Sequence, residues 1–216
     1  MQTSILERAG RLYSPILSDT LDSLGLRRHF LGAEVQCLFP DPHLTVAGFA
    51  YPARVSKTGE YVQIGNLLRM VDSIPKDAFV VVAGDPGCEC ALWGGLMSAA
   101  AKARGAVAAV VNGPTRDVAQ IARLGFTVFC TGRNPHDIRT RGEMVDFNCT
   151  VEFNGVTIAP GDLVFGDANG VVVVPKDRIL EAIELAEKGV REESVTEAGL
   201  DRGGSAVGLF EEFGRF

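Results

Sequence analysis

Short apolar runs alternate with amphipathic segments through the middle of this chain. Runs in which nearly every residue is apolar are typical of strands buried on both faces. Three occur, at residues 78–83, residues 106–111 and Thr127–Cys130. Helical spacing separates them over residues 92–104 and 117–124, and a glycine follows each helical segment. This order predicts a parallel sheet whose strands are joined by right-handed helical crossovers.

The two ends of the chain have helical periodicity. Ser14-Pro15 predicts a helix start, with serine as the N-cap and proline at the first helical position. The predicted helices cover residues 4–13, 14–25, 61–71, 176–196 and Ala206–Phe213. Residues 26–42 are predicted as a loop and residues 46–55 as a strand. Because the terminal helices lack an evident partner in the rest of the pattern, we expect them to act as arms.

After Gly142 the pattern is that of strands alone. Asn154-Gly155 between two short runs is a strong signal for a two-residue hairpin, and further strands are predicted at residues 163–166 and 170–175. No linker is long enough to divide the chain. The sequence therefore predicts one α/β domain, with an N-terminal helical arm (1–45), an α/β/β core (46–175) and C-terminal helices (176–216).

Composition and charge narrow the classes of function. The chain has 216 residues, 46% of them hydrophobic, and a net charge of −6, which argues against nucleic acid as a partner. No run approaches the ~18 apolar residues that a membrane span needs, so no membrane partner is expected. Five cysteines, an odd number set mostly among apolar residues, indicate reduced thiols and a cytoplasmic location.

Two loops that leave predicted parallel strands carry the candidate chemistry. Gly94-Gly95 precedes a helix, where unshielded backbone N–H groups can bind a carboxylate or phosphate. Arg116-Asp117 follows the next strand and offers a planar cation beside a hard oxygen ligand. Taken singly, the glycines could serve only the turn, Arg116 could be a surface residue, and Asp117 could be the N-cap of the next helix. Both loops nevertheless lie at the carboxyl ends of strands, where open α/β sheets bind ligands.

Other candidate sites are weaker. Cys88-Glu89-Cys90 offers too few ligands for a structural zinc site, which needs about four. The three histidines (His29, His43 and His136) are scattered, so no Ser-His-Asp type of triad is evident. A dinucleotide-binding glycine fingerprint is absent as well.

The motifs, in this order, resemble those of the RraA-like family, which includes the regulator of ribonuclease activity A and class II pyruvate aldolases that cleave 4-hydroxy-4-methyl-2-oxoglutarate. The resemblance covers nearly the whole chain. It rests on Ser18-Asp19-Thr20-Leu21-Asp22, Trp93-Gly94-Gly95-Leu96-Met97, Arg116-Asp117-Val118, Pro160-Gly161-Asp162-Leu163-Val164 and the run at residues 166–175.

The resemblance implies a swivelling β/β/α-type domain that forms a homotrimer or a dimer of trimers, with its site between subunits. It implies that Arg116 and the backbone of Gly94, Gly95, Leu96 and Met97 bind a small 2-oxo acid. It implies that Asp117 binds Mg²⁺, or another divalent cation such as Mn²⁺. A further carboxylate, from Glu193 or else Glu192, would come from the C-terminal helix of an adjacent subunit. Arg116 and Glu193 are then the expected catalytic residues.

Two departures from the family pattern affect the expected activity. Active members carry an aspartate where this chain has Gly95, and an acidic residue where it has Gln120. The expectation is a metal-dependent carbon–carbon lyase, either an oxaloacetate decarboxylase or a pyruvate aldolase, without that acid/base group. A non-catalytic regulator of ribonuclease activity remains the alternative, as does a related metal enzyme for a different acid.

Overall fold

An eight-stranded sheet forms the centre of the protein. The computed structural model describes residues 2–213, so Met1 and residues 214–216 of the expected domain lie outside it. The helices are α1 (Gln2–Ala9), α2 (Ser14–Ser23), α3 (Gly65–Asp72), α4 (Gly95–Ala103), α5 (Val118–Leu124), α6 (Ile179–Asp201) and α7 (Ala206–Phe213). The strands are β1 (Gln36–Cys37), β2 (Thr45–Lys57), β3 (Ala78–Gly84), β4 (Ala108–Val111), β5 (Pro114–Thr115), β6 (Thr127–Cys130), β7 (Gly132–Arg133), β8 (Gly142–Phe147), β9 (Val151–Phe153), β10 (Val156–Ile158), β11 (Leu163–Asp167) and β12 (Gly170–Val174).

The predicted parallel sheet forms only the middle of the observed one. The strand order is β1-β6-β4-β3-β2-β11-β12, and the pairs among β2, β3, β4 and β6 are parallel. β2 is long enough to pair antiparallel with β11 near its start and with β8 near its end. The strands predicted after Gly142 therefore extend the same sheet, except for β9 and β10. Those two form the separate hairpin that Asn154-Gly155 predicted, with positive φ at both turn residues.

Helices cover the two faces of the sheet unequally. One face packs under α3, α4 and α5, and the opposite face packs against the β9–β10 hairpin. A third apolar cluster joins α1, α2 and α6 to β11 and β12. The expectation that the terminal helices lack a partner within the chain is therefore wrong for α1, α2 and the first half of α6. At the end of the chain α7 packs on α6, with Leu209 against Gly199, although Val207 and Phe210 on α7 stay 67% and 53% exposed.

Several element boundaries differ from the predicted ones for local physical reasons. Ser14 lies inside α2 rather than capping it, because its amide and hydroxyl both donate to the buried carboxylate of Asp167, at 2.7 and 2.8 Å. The helix expected from residue 61 begins only at Gly65. The helix expected over residues 92–104 begins at Gly95, because residues 92 and 93 bond to a neighbouring loop instead. The α/β class with helical ends is confirmed, and no helix in residues 2–213 is long and apolar enough to cross a membrane.

Candidate functional site

A short parallel ladder brings the two candidate loops together. The amide of Leu92 donates to the carbonyl of Pro114 at 2.9 Å, and the amide of Arg116 donates to the carbonyl of Trp93 at 3.1 Å. The buried hydroxyl of Thr115 donates to the same Trp93 carbonyl, also at 3.1 Å. Gly94 is thereby held beside Arg116, although the two residues are far apart in sequence.

The buried side chain of Trp93 supports the start of α4. Its side chain is 1% exposed, and its indole N–H donates to the hydroxyl of Ser98 at 2.7 Å. That hydroxyl donates in turn to the carbonyl of Gly94 at 3.0 Å, and the indole stacks on Phe126 with 6.3 Å between ring centres. The first turn of α4 is therefore held by a buried chain of hydrogen bonds that runs from Trp93 through Ser98 to the carbonyl of Gly94.

Asp117 occupies the N-cap position of α5 but its side chain does not cap that helix. Its backbone is left-handed, with φ 57° and ψ 37°, a conformation that aspartate tolerates better than most residues. The carboxylate instead accepts a hydrogen bond from the amide of Gly95 at 3.0 Å. Asp117 is therefore the N-cap of α5 by position, as the capping interpretation predicted, but its carboxylate binds the N-terminus of α4 instead. Unusual backbone geometry of this kind is concentrated at functional sites.

The guanidinium of Arg116 lies between two carboxylates. Its Nη1 donates to Oδ2 of Asp137 at 3.1 Å, and its Nε lies 3.6 Å from Oδ2 of Asp117. The pKa of Asp137 is lowered, first by the hydrogen bond from the amide of Arg139, while burial opposes the shift and Arg116 adds to it. Asp137 is therefore ionised at neutral pH and holds the arginine in place.

One cavity of about 390 Å³ joins these groups. Gly94, Leu96, Met97, Arg116 and Asp117 all line it, so five of the predicted site residues share one cavity. Gly95 is not among the lining residues, but its amide donates a hydrogen bond to the carboxylate of Asp117, which is. The amide N–H groups in the first turn of a helix have no carbonyl partner within the helix. The amides of Leu96 and Met97 are therefore available as donors to a ligand at the N-terminus of α4.

Asp137 and the apolar wall of the cavity were not predicted from the sequence. Asp137 follows His136, and its carboxylate caps the short 3₁₀-helix Ile138–Thr140. The wall comes from Ile64 and α3, whose helical pattern was predicted without any indication of what it faces. The Asn-Pro-His-Asp sequence is a capping signal, so it could have placed Asp137 at a helix start but not in this cavity.

The two departures from the family pattern lie in contact. A Cβ atom on Gly95 would lie 2.5 Å from Cδ of Gln120 and 3.0 Å from Cβ of Asp117. Both distances are well below ordinary van der Waals separation, so the glutamine fills the space that a side chain at position 95 would need. Gly95 and Gln120 are therefore packed neighbours, and a side chain at one position requires the other to move.

Glu193 lies outside the cavity of its own chain. It accepts a hydrogen bond from the hydroxyl of Tyr13 and lines a separate surface groove with Thr196, Glu197 and Leu200. Glu192 lies 3.5 Å from Lys188 on the same helix. The expectation that one of them serves the site of an adjacent subunit stays a prediction.

The chemistry of the cavity suits a hard divalent cation. Mg²⁺ in proteins is often held by only one or two carboxylates, with waters and substrate oxygens completing its shell. Asp117 provides one such carboxylate at the cavity surface. A Cβ on Gly94 would lie 2.9 Å from Oδ2 of Asp117, so glycine at this position keeps the carboxylate accessible.

Within the described side chains, no group of three or more His, Cys, Asp or Glu that could hold a metal occurs, at Cys88 and Cys90 or elsewhere. Burial raises the pKa of Cys90 to about 11.

Comparison with known proteins identifies relatives of this chain. The family profile described as RraA-like: Aldolase/RraA matches residues 14–173. A Halalkalibacterium halodurans protein, provisionally named a 4-hydroxy-4-methyl-2-oxoglutarate aldolase, is 30% identical over 162 residues, which are 74% of this chain and 76% of that protein. Protein DlpA of Legionella pneumophila is 29% identical over 195 residues, which are 87% of this chain but only 31% of the length of DlpA.

Solved structures share the fold. A protein from Pseudomonas syringae superimposes with a TM-score of 0.87 at 24% identity. The superposition covers 98% of this chain and 95% of the Pseudomonas syringae chain. Streptomyces coelicolor RraAS2, described as an unusual member of the RNase ES inhibitor RraA protein family, gives a TM-score of 0.80 at 23% identity, covering 90% and 96%. Identities this low establish the architecture only.

Proposed function

Because this chain belongs to the RraA-like family, we propose that it is a divalent-metal-dependent carbon–carbon lyase that acts on a small 2-oxo acid. The proposed reaction is decarboxylation of an oxaloacetate-like acid or retro-aldol cleavage of a 4-hydroxy-2-oxo acid. One observation carries the proposal: the guanidinium of Arg116, the carboxylate of Asp117 and the N-terminus of α4 all line the same cavity.

Each group has a role that its position supports. The amides of Leu96 and Met97 would bind the substrate carboxylate at the positive end of the α4 dipole. Arg116, held by Asp137, would stabilise the negative charge that develops on the keto oxygen as the bond breaks. Asp117 would hold the cation, which acts as a Lewis acid on the 2-oxo acid when bound.

Decarboxylation makes fewer demands on this site than aldol cleavage. Loss of carbon dioxide requires only that the electron pair of the breaking bond be accepted, with a proton added to carbon afterwards. Aldol cleavage also requires a base to remove a hydroxyl proton, and Gly95 offers no side chain for that task. General acid–base assistance is typically worth about 10²–10⁴-fold in rate, so we propose that decarboxylation is the stronger activity.

We also propose a homotrimer or a dimer of trimers in the cytoplasm. The exposed apolar residues at the end of α6 and on α7 support assembly. Glu193 lies in the same half of α6, which supports its proposed role in the site of a neighbouring subunit. Five free cysteines support a reducing compartment.

The test is pyruvate release from oxaloacetate by the purified protein, with Mg²⁺ and with excess EDTA. Because oxaloacetate also decarboxylates without enzyme, each rate is compared with that of Arg116→Ala protein at equal concentration. Faster release by the unaltered protein, lost in EDTA, supports the lyase. If the unaltered and Arg116→Ala proteins give equal rates with oxaloacetate, and also with a 4-hydroxy-2-oxo acid, a protein-binding regulator is favoured. The observation that supports a regulator is the absence of an acid group at Gly95.

A further inference from the structure

One wall of the cavity is apolar and comes largely from a single helix. Ile64, Leu67, Leu68 and Val71 line it from α3 and the residue before it. Leu68 is 53% exposed, although it lies at the cavity. Arg116 and the N-terminus of α4 are the polar part of the cavity and are called the clamp below. An exposed leucine beside this clamp leaves apolar surface in contact with water until a ligand or a partner covers it.

The cavity is larger than the clamp alone requires. A volume of about 390 Å³ lies within the ~300–1,000 Å³ range of pockets that bury drug-sized ligands. A three-carbon acid held between Arg116 and the start of α4 would leave the side toward α3 empty. The remaining space is continuous with the clamp, so a longer substrate could occupy both.

Apart from Asp72 on α3, the charged side chains of the cavity form one connected group. Arg116 joins Asp117 to Asp137, and Arg139 lies 3.9 Å from Asp137. On the α3 side, Asp72 is paired with Arg104 at 2.8 Å. A further carboxylate placed against Leu67 and Leu68 would lose its hydration beside the like charge of Asp72. The two arginines of the cavity already lie against carboxylates, so such a group would gain little compensation.

We infer that the substrate carries an aliphatic tail, so that the acid is clamped at Arg116 while the tail lies on the wall formed by Ile64, Leu67, Leu68 and Val71. This inference rests on the proposed function, because it assumes that the 2-oxo acid end binds at the clamp. It adds the substrate class: an oxaloacetate-like or 4-hydroxy-2-oxo acid that also carries an apolar substituent, with no further charged group against the wall. The unreactive 2-oxo acids of increasing length serve as binding probes for that substituent.

The chain has a built-in reporter of binding. Trp93 is the single tryptophan of the sequence and lines the cavity. Its fluorescence can be titrated, in the presence of Mg²⁺, with pyruvate, 2-oxobutanoate, 2-oxopentanoate and 2-oxohexanoate. Burial of one methylene is worth about 0.8 kcal/mol, which corresponds to roughly fourfold in affinity, so the dissociation constant is expected to fall about threefold to fourfold at each step.

The matched variants are Leu68→Asp at the wall and Leu180→Asp on α6, since Leu180 is similarly exposed (49%) but lies outside the cavity. Leu68→Asp is expected to flatten the dependence of affinity on tail length, and Leu180→Asp to leave it unchanged. If Leu68→Asp does not fold, Leu68→Asn makes the same comparison.

The outcomes separate this inference from the proposed function. Affinities that do not change with tail length, while pyruvate still binds and Arg116→Ala still abolishes binding, would overturn the apolar tail and leave the lyase in place. Absence of any binding across the series, with the protein folded, would overturn both. A Leu68→Asp variant that changes the molecular mass of the assembly and keeps the full tail dependence would show that a second copy covers the wall, and would also overturn the inference.

Discussion

Gln120 occupies the space beside Gly95 that a side chain at position 95 would fill. The two residues lie on different helices, α4 and α5, and meet where both helices begin. A substitution at position 95 therefore acts on a packed neighbour as well as on the cavity. The nearest atoms are at the end of the flexible Gln120 side chain, which can rotate aside at modest cost. Cβ of Asp117, at 3.0 Å, must also shift by a few tenths of an ångström.

Restoring the carboxylate at position 95 is expected to raise lyase turnover. Gly95→Asp should increase the rate of oxaloacetate decarboxylation or aldol cleavage toward the lower end of the ~10²–10⁴-fold range of acid–base assistance, because the surrounding residues were not built to orient it. The double variant Gly95→Asp, Gln120→Ala should exceed the single one, since it removes the side chain in the way. Initial rates with both substrates measure the effect.

The control for this gain is Arg116→Ala in the Gly95→Asp background, which should abolish it because proton transfer without charge stabilisation is unproductive. A folded, Mg²⁺-binding Gly95→Asp variant with no gain on either substrate would mean that the base lies elsewhere, with Glu193 the first to test, or that the chain does not catalyse. A thermal-shift screen of oxo- and hydroxy-acids with and without Mg²⁺ would then separate those two cases.

Removing the guanidinium of Arg116 is expected to cost about 10²–10³-fold in kcat, the size typical of losing one preorganised charge stabiliser. Arg123→Ala is the matched control, because Arg123 is exposed on α5 and does not line the cavity. Steady-state kinetics of both variants measure the difference. Equal kcat values for the two would remove Arg116 from the catalytic residues.

Asp117 is expected to be required for Mg²⁺ binding. Asp117→Asn is the sharper variant, because asparagine tolerates the left-handed backbone that alanine would strain, although Asp117→Ala should lose the metal too. Calorimetry should show Mg²⁺ affinity reduced by more than ~10-fold. Loss of a residue that only hydrogen-bonds to a metal ligand already lowers metal affinity by about that factor, and loss of a ligand should lower it further. Asp177→Ala, an exposed carboxylate remote from the cavity, is the control. Unchanged affinity in folded Asp117→Asn protein would refute the assignment.

The protein is expected to be a trimer or a hexamer in solution. The apolar residues left exposed on α6 and α7, among them Val195 and Phe210, are the surface that assembly would bury. Light scattering at micromolar concentration measures the mass. A monomer would contradict this prediction and would remove Glu193 from any shared site.

Acid should weaken the attachment of α1 to α6. The guanidinium of Arg8 donates two hydrogen bonds to the Glu187 carboxylate, at 2.8 and 2.9 Å, and lowers the pKa of that carboxyl. The stabilisation is therefore complete above the ordinary glutamate pKa of about 4.3 and is lost as the pH falls through the lower folded value. For a partly exposed pair it is worth ~1 kcal/mol at most, or roughly 2–4 °C in Tm.

Thermal denaturation of wild-type and Glu187→Gln protein between pH 3 and 7 measures this contribution. The two melting curves should differ at neutral pH and converge in acid. Glu197→Gln, exposed on the same helix, is the control. A difference in Tm that persists at the lowest pH would mean that Glu187 stabilises the helix without its charge.

The sequence by itself determined the element types and the positions that could carry chemistry. Buried strands such as Thr127–Cys130 and the turn at Asn154-Gly155 were predictable because their signals are local: apolar periodicity and a backbone conformation that few residues accept. The family motifs pointed to Arg116 and Asp117 for the same reason, since they are contiguous in the chain.

Only the tertiary structure decided which of these residues meet and how they are oriented. The ladder between Trp93 and Thr115 places the start of α4 beside Arg116, Asp137 arrives from a distant loop, and α3 supplies an apolar wall. It also decided that the carboxylate of Asp117 turns to Gly95 rather than to its own helix. The physical reason is that hydrogen bonds and packing between segments far apart in sequence depend on the complete fold, whereas periodicity records only what each segment prefers alone.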